Sequence, residues 1–182
     1  VKGAVGFALP LIMMSGLGAI LPPEIALAGL ILPAAIANCW QAFRQGLRNA
    51  LGSILGHWPF IAIGLGVMVV SAQVVLALPQ WLFFAAIGVP ITLFSAMQLM
   101  GWQLRVAPHR RALATVLFGA IGGVLGGLSA IWGPPTVAYL TSLDVAKREH
   151  VRVQGMVYFL GSIVLLVSHL RSGVLNTGTV PF

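Results

Sequence analysis

The chain alternates between long apolar stretches and short polar ones. A helix needs about 20 apolar residues to cross the hydrocarbon core of a bilayer, and its backbone hydrogen bonds must close within the segment. The alternating short strands of a membrane barrel are not seen. The pattern therefore predicts an all-α integral membrane protein with about six transmembrane helices. The six stretches without Lys, Arg, Asp or Glu are residues 4–21, 25–43, 58–78, 81–100, 113–143 and 153–170.

The fifth stretch is too long for one straight span. Its 31 residues would form a helix of roughly 46 Å at 1.5 Å per residue. It also contains Gly133-Pro134-Pro135, and a proline has no N–H with which to continue a helix. We therefore predict that helical hydrogen bonding lapses between about Ile131 and Pro135.

Composition agrees with a membrane protein, because 59% of the 182 residues are hydrophobic and only 7% are charged. The net charge of +7 does not indicate nucleic-acid binding, since the basic residues lie in the short gaps between apolar stretches. One cysteine, Cys39, excludes a disulfide framework and a cysteine-based metal site; we predict no metal and no cofactor. If the spans alternate, Lys147, Arg148 and Arg152 lie on one side of the membrane. The opposite side, predicted to be cytoplasmic, carries Lys2, Arg44, Arg48, Arg105, Arg110, Arg111 and Arg171.

Three short matches recur at nearly one offset and indicate an internal duplication. Phe7-Ala8-Leu9-Pro10 resembles Trp132-Gly133-Pro134-Pro135, and a glutamate follows 14 residues after each last proline. Phe43-Arg44-Gln45-Gly46 resembles Leu170-Arg171-Ser172-Gly173. We predict a first repeat over residues 1–112 and a second over 113–182, from a parent of four plus four spans. The start of the first repeat and about two spans of the second are then expected to lie outside the sequence.

The two glycine-rich segments give the chain a family resemblance. They read Gly3-x-x-Gly6-Phe7-Ala8-x-Pro10 and Gly119-x-x-Gly122-Gly123-x-x-Gly126-Gly127-Leu128-Ser129-x-x-Trp132-Gly133-Pro134-Pro135. In this, the sequence resembles the sulfite exporter TauE/SafE family of membrane permeases. The resemblance implies export of sulfite or a small organosulfonate through the plasma (inner) membrane, in a multi-pass protein of bacterial type.

Helix breaks are the candidate binding sites. A helix that begins in mid-membrane presents free N–H groups and the positive end of its dipole, which suit an anion, and matched breaks in two repeats point to a transporter's site. Alternatively, the prolines only kink and the glycines only pack. The candidate substrate-binding residues are Gly6, Phe7, Ala8, Pro10, Asn38, Ser129, Trp132, Gly133, Pro134 and Thr136.

Several of these residues have a purely structural alternative. The Ser129 and Thr136 hydroxyls could bond back to their own helix, and Trp132 could wall the site or serve only in packing. Asn38 could touch either the substrate or a neighbouring helix. The favoured function is secondary transport of a small anion. A membrane-embedded enzyme and a truncated, non-transporting membrane protein are the alternatives; no catalytic residue is predicted, and the oligomeric state stays open.

Overall fold

All regular secondary structure is helical in the part of the chain that the computed structural model describes, residues 8–101 and 105–172. No strand occurs in these two ranges, which confirms the predicted fold class. Two short 3₁₀ helices, Val75–Ala77 and Pro108–Arg110, precede the fifth and sixth α-helices. The α-helices are α1 Ala8–Gly18, α2 Pro23–Phe43, α3 Leu47–Gly56, α4 Trp58–Ala72, α5 Gln80–Leu99, α6 Arg111–Ser129, α7 Gly133–Ser142 and α8 Lys147–Ser172.

Fewer helices meet the requirements for a span than the six that the pattern predicts. Three in the described part are long and apolar enough, over Gln80–Met97, Pro108–Ser129 and Lys147–Ser168. Helices α3 and α4 make a fourth if they count as one span, although they are bent by 82°. The structure also places a helix, Leu47–Gly56, in the gap 44–57 between the second and third apolar stretches. Helix α3 buries Ala50 and Ser53 on one side, so its pattern is that of a short amphipathic helix.

The long fifth stretch is broken, as predicted. Helix α6 ends at Ser129, and Ala130 takes the left-handed conformation, with φ 58° and ψ 19°. Helix α7 begins at Gly133 and holds Pro134 and Pro135 in its first turn, where a missing N–H costs nothing. The lapse thus covers residues 130–132, slightly before the predicted position, because the prolines start the new helix instead of interrupting the old one.

Helix α7 turns back along α6 and does not continue in the same direction. The Thr115 and Tyr139 hydroxyls lie 3.1 Å apart, and the Val106 N–H donates to the Ser142 carbonyl at 3.0 Å. The two ends of the broken segment therefore lie together. This is the geometry of a re-entrant hairpin, which a membrane tolerates where the irregular backbone is buried in protein.

The hairpin changes the sidedness of the basic residues. The start of α8 lies beside α3, because Arg152 Nε donates to Ser53 Oγ at 2.7 Å and His57 Nε2 lies 3.8 Å from Glu149 Oε1. The predicted separation onto opposite sides is wrong, since it assumed that residues 113–143 cross. One end of the molecule carries Arg44, Arg48, Arg105, Arg110, Arg111, Lys147, Arg148 and Arg152, and the positive-inside rule predicts that this end is cytoplasmic.

Replacement of Arg152 by Met should loosen α3 from α8. The change keeps an apolar stem but removes the charged donor to Ser53, which is 1% exposed. A hydrogen bond of this kind contributes about 1.5–3 kcal/mol, so the melting temperature in detergent should fall. Arg148→Met is the matched control, because Arg148 is exposed. A double-mutant cycle with Ser53→Ala checks the pair; a coupling free energy of zero would contradict the contact.

Helices α2 and α8 pack against each other in opposite directions. The Asn38 side chain reaches Tyr158 and Ser162, while a Cβ on Gly155 would lie 3.0 Å from Ala42 Cα. As residue numbers rise along α2 they fall along α8, so the helices are antiparallel. Two repeats of four spans each would start on the same side of the membrane and would place corresponding helices parallel, so this antiparallel pair does not follow from the predicted duplication. The division into repeats at residue 113 stays a prediction.

Candidate functional site

At the break between α6 and α7, three consecutive backbone N–H groups belong to the hydrogen bonding of neither helix. The last hydrogen bond of α6 runs from Ala130 N to Gly126 O at 2.9 Å, and the first of α7 runs from Thr136 N to Trp132 O at 3.2 Å. Within the described ranges, no carbonyl accepts from the N–H groups of Ile131, Trp132 or Gly133. All three residues are buried. Buried donors without acceptors are costly, and a ligand with several acceptor oxygens would satisfy them.

Trp132 closes the break on one side. It lies directly before α7 and is 3% exposed. Its indole fits between two glycines, since a Cβ on Gly126 would come within 2.8 Å of Trp132 Cε3, and one on Gly161 within 3.4 Å of Cζ2. The packing role of Trp132 is thus evident, and its contact with substrate stays a prediction.

The two hydroxyls predicted at the site both donate to their own helices. Ser129 Oγ donates to Leu125 O at 2.7 Å, and Thr136 Oγ1 donates to Trp132 O at 2.8 Å. Each hydroxyl has one hydrogen, so neither donates to an anion unless this internal bond breaks. The backbone N–H groups are therefore the better candidates for anion donors at the break.

Asn38 lies in the interior and joins two helices. Its Nδ2 donates to the Tyr158 carbonyl at 3.1 Å and to Ser162 Oγ at 2.6 Å. The amide therefore holds α2 against α8. These bonds show contact with a neighbouring helix, which is one of the two roles predicted for Asn38. Contact with substrate stays a prediction.

The first predicted break falls mostly on residues that lie outside the description. Gly6 and Phe7 lie outside the described residues, and Ala8 and Pro10 belong to the backbone of α1. The later part of α1, at Ser15 and Gly18, borders an open groove of about 460 Å³ that Ile131 also lines. The end of α1 and the break in the second half thus face one groove. The duplication further predicts that Pro10 and Pro135 meet at one depth in the membrane, and this stays a prediction.

A small cavity lies beside the break in the conformation that the structure shows. Its volume is about 20 Å³, and Trp132, Thr136, Met68 and Val157 are among its lining residues. Such a volume holds about one water molecule. The cavity is therefore too small for an oxyanion, and a larger ligand there needs a rearrangement of its walls.

Two buried polar side chains near α8 were not predicted to belong to the site. The Tyr158 hydroxyl and both amide atoms of Gln41 have no hydrogen-bond partner in the described part of the chain. The ring of Tyr158 lies 6.1 Å from the indole of Trp132, centroid to centroid. The spacing of apolar residues along the sequence does not distinguish such a tyrosine from one that only packs. The described residues contain no group of three His, Cys, Asp or Glu that could hold a metal ion.

These features define a class of protein: an all-helical membrane protein with a re-entrant, broken helix pair, a device that membrane transporters use to bind their substrates. The model of the family described as Sulfite exporter TauE/SafE matches residues 1–182, the whole chain. The chain therefore belongs to this family, which implies a membrane exporter of sulfite or a related anion and confirms the resemblance noted in the glycine-rich segments. Comparison with curated proteins and with solved structures yields no match.

Proposed function

We propose that the protein carries sulfite, or a short organosulfonate, out of a bacterial cell through the plasma (inner) membrane and binds it at the break between α6 and α7. The observation that supports this site is the run of three buried N–H groups without acceptors at Ile131, Trp132 and Gly133. They stand at the positive end of the α7 dipole. The family supplies the anionic substrate class.

Uncharged donors suit a carrier that must release its ligand. An arginine or lysine at the site would hold an oxyanion as a buried ion pair, and such pairs are costly to break. The basic residues lie instead at one end of the molecule, where they would raise the local concentration of an anion. The break would then bind the ion by hydrogen bonds in which only the acceptor, the anion, carries a charge.

The small size of the cavity fits one state of an alternating-access cycle. Room for one water molecule beside Trp132 means that an oxyanion does not fit in this cavity in the described conformation. The open groove between α1 and α5 reaches Ile131. The anion would approach the break through this groove. Movement of the indole away from its two glycine neighbours would connect the groove with the N–H groups.

Reconstitution in liposomes tests the proposal. Vesicles loaded with radiolabelled sulfite under anaerobic conditions should lose it faster with the protein than without it, and an external short organosulfonate should compete. Vesicles loaded with radiolabelled sodium or choline are the control for leak. Sulfite release no faster than from protein-free vesicles, by a folded protein, would contradict the proposed function.

A further inference from the structure

The phenol of Tyr158 is an unused hydrogen-bond donor in the centre of the protein. Tyr158 is 2% exposed, and its hydroxyl has no partner in the described ranges. Burying a hydroxyl without a hydrogen bond is unfavourable, and each such group in a folded protein calls for an explanation. Phenylalanine would fill nearly the same space without that penalty.

The ring of Tyr158 lies beside the residue that precedes the second helix of the break. Its ring packs at 6.1 Å, tilted by 46°, against the indole of Trp132, the residue that directly precedes α7. Its carbonyl accepts from Asn38 on α2 and from Ser162 one turn later on α8. The backbone of Tyr158 is therefore fixed from two directions, while the hydroxyl is left without an acceptor.

We propose that the Tyr158 hydroxyl donates a hydrogen bond to the transported oxyanion and is a substrate-binding residue. This inference rests on the proposed function and extends it, since it adds a side chain from α8 to the N–H groups of Ile131, Trp132 and Gly133. The two sets of donors come from different helices and are unpartnered for independent reasons. The backbone N–H groups lack acceptors because a helix begins at Gly133. The Tyr158 hydroxyl lacks a partner because no acceptor in the described part of the chain lies near it. An oxyanion with three oxygens has enough acceptor atoms for both sets.

The other tyrosine of the chain provides a matched control. The sequence holds only two tyrosines, and both are buried. The hydroxyl of Tyr139 lies 3.1 Å from Thr115 Oγ1, and its ring stacks on Phe60 at 4.2 Å. Tyr139→Phe therefore removes a hydroxyl that has a protein partner, whereas Tyr158→Phe removes one that has none.

The experiment compares both variants in two measurements, the melting temperature in detergent and the KM for sulfite in liposomes. For Tyr158→Phe we expect an unchanged or raised melting temperature and a KM raised about tenfold or more, as for loss of a hydrogen bond to a charged group. The stabilisation of the folded protein by added sulfite should shrink in parallel. For Tyr139→Phe we expect the reverse: a lower melting temperature and an unchanged KM.

The outcomes separate this inference from the proposed function. If the wild-type protein exports sulfite and Tyr158→Phe leaves the KM unchanged, the role of Tyr158 is overturned and the site at the break stands. If Tyr158→Phe lowers the melting temperature as Tyr139→Phe does, its hydroxyl has a structural partner, and the role is again overturned. If the wild-type protein moves no sulfite, the proposed function fails and the role of Tyr158 fails with it.

Discussion

Gly127→Ala should prevent the protein from reaching its folded state in the membrane. A Cβ at this position would overlap Ser71 Oγ and lie 2.6 Å from Met68 O and 2.8 Å from Ala72 N. Two of these atoms belong to the backbone of α4, so no side-chain rotation relieves the clash, and α4 and α6 would have to separate. Close approach of two backbones at small residues is a main source of helix association in membranes.

The loss should amount to about 3 kcal/mol or more, the upper range for overpacking a buried site. The measurement is the yield of monodisperse protein in size-exclusion chromatography, together with its melting temperature. Gly66→Ala on α4 is the matched control, because nothing lies within 4 Å of the added carbon, and alanine should slightly favour the helix. Equal yield and stability for the two variants would show that α4 and α6 do not pack as described.

Local chemistry explains what the sequence predicted correctly about the fold. Apolar stretches of about 20 residues predict helices because only a helix closes its own hydrogen bonds in lipid. The break was predictable because Pro134 and Pro135 lack N–H groups. Both arguments use neighbouring residues alone, and they needed no knowledge of how the helices pack.

The direction of the chain after the break could not be read in the same way. Residues 113–143 were expected to cross, but the left-handed turn at Ala130 and the bond from Val106 to Ser142 return α7 to its starting side. Both features depend on tertiary contacts. The same reason explains why α3 was missed, since an amphipathic helix of 10 residues is stable only where another helix covers it.

The candidate site was predictable in its backbone and not in its side chains. Gly133 and the prolines mark the start of α7 in any context, so the N–H groups could be expected there. The hydroxyls of Ser129 and Thr136 looked like donors but bond to their own helices. Tyr158 was missed because the absence of a partner for a hydroxyl is a property of the packed structure, which no spacing along the chain reveals.

Gly133→Leu should abolish most of the sulfite efflux while the protein still reaches the membrane. Gly133 is buried and forms the first residue of α7. A leucine there would add four carbon atoms beside the N–H group of residue 133 itself, and we expect them to hinder the approach of an oxyanion. We expect the rate of efflux at low substrate concentration to fall at least about tenfold, which corresponds to about 1.4 kcal/mol of lost stabilisation of the transport transition state.

Two controls separate a blocked site from a misfolded protein. Met97→Leu lies on α5, away from the break, and should leave the rate unchanged because the two side chains are similar in volume. Gly133→Ala adds a single carbon and should give an intermediate rate, as expected when the obstruction grows with side-chain size. Surface labelling and size-exclusion chromatography measure how much folded protein is present in each case. Undiminished efflux by a folded Gly133→Leu protein would place the anion site somewhere other than the start of α7.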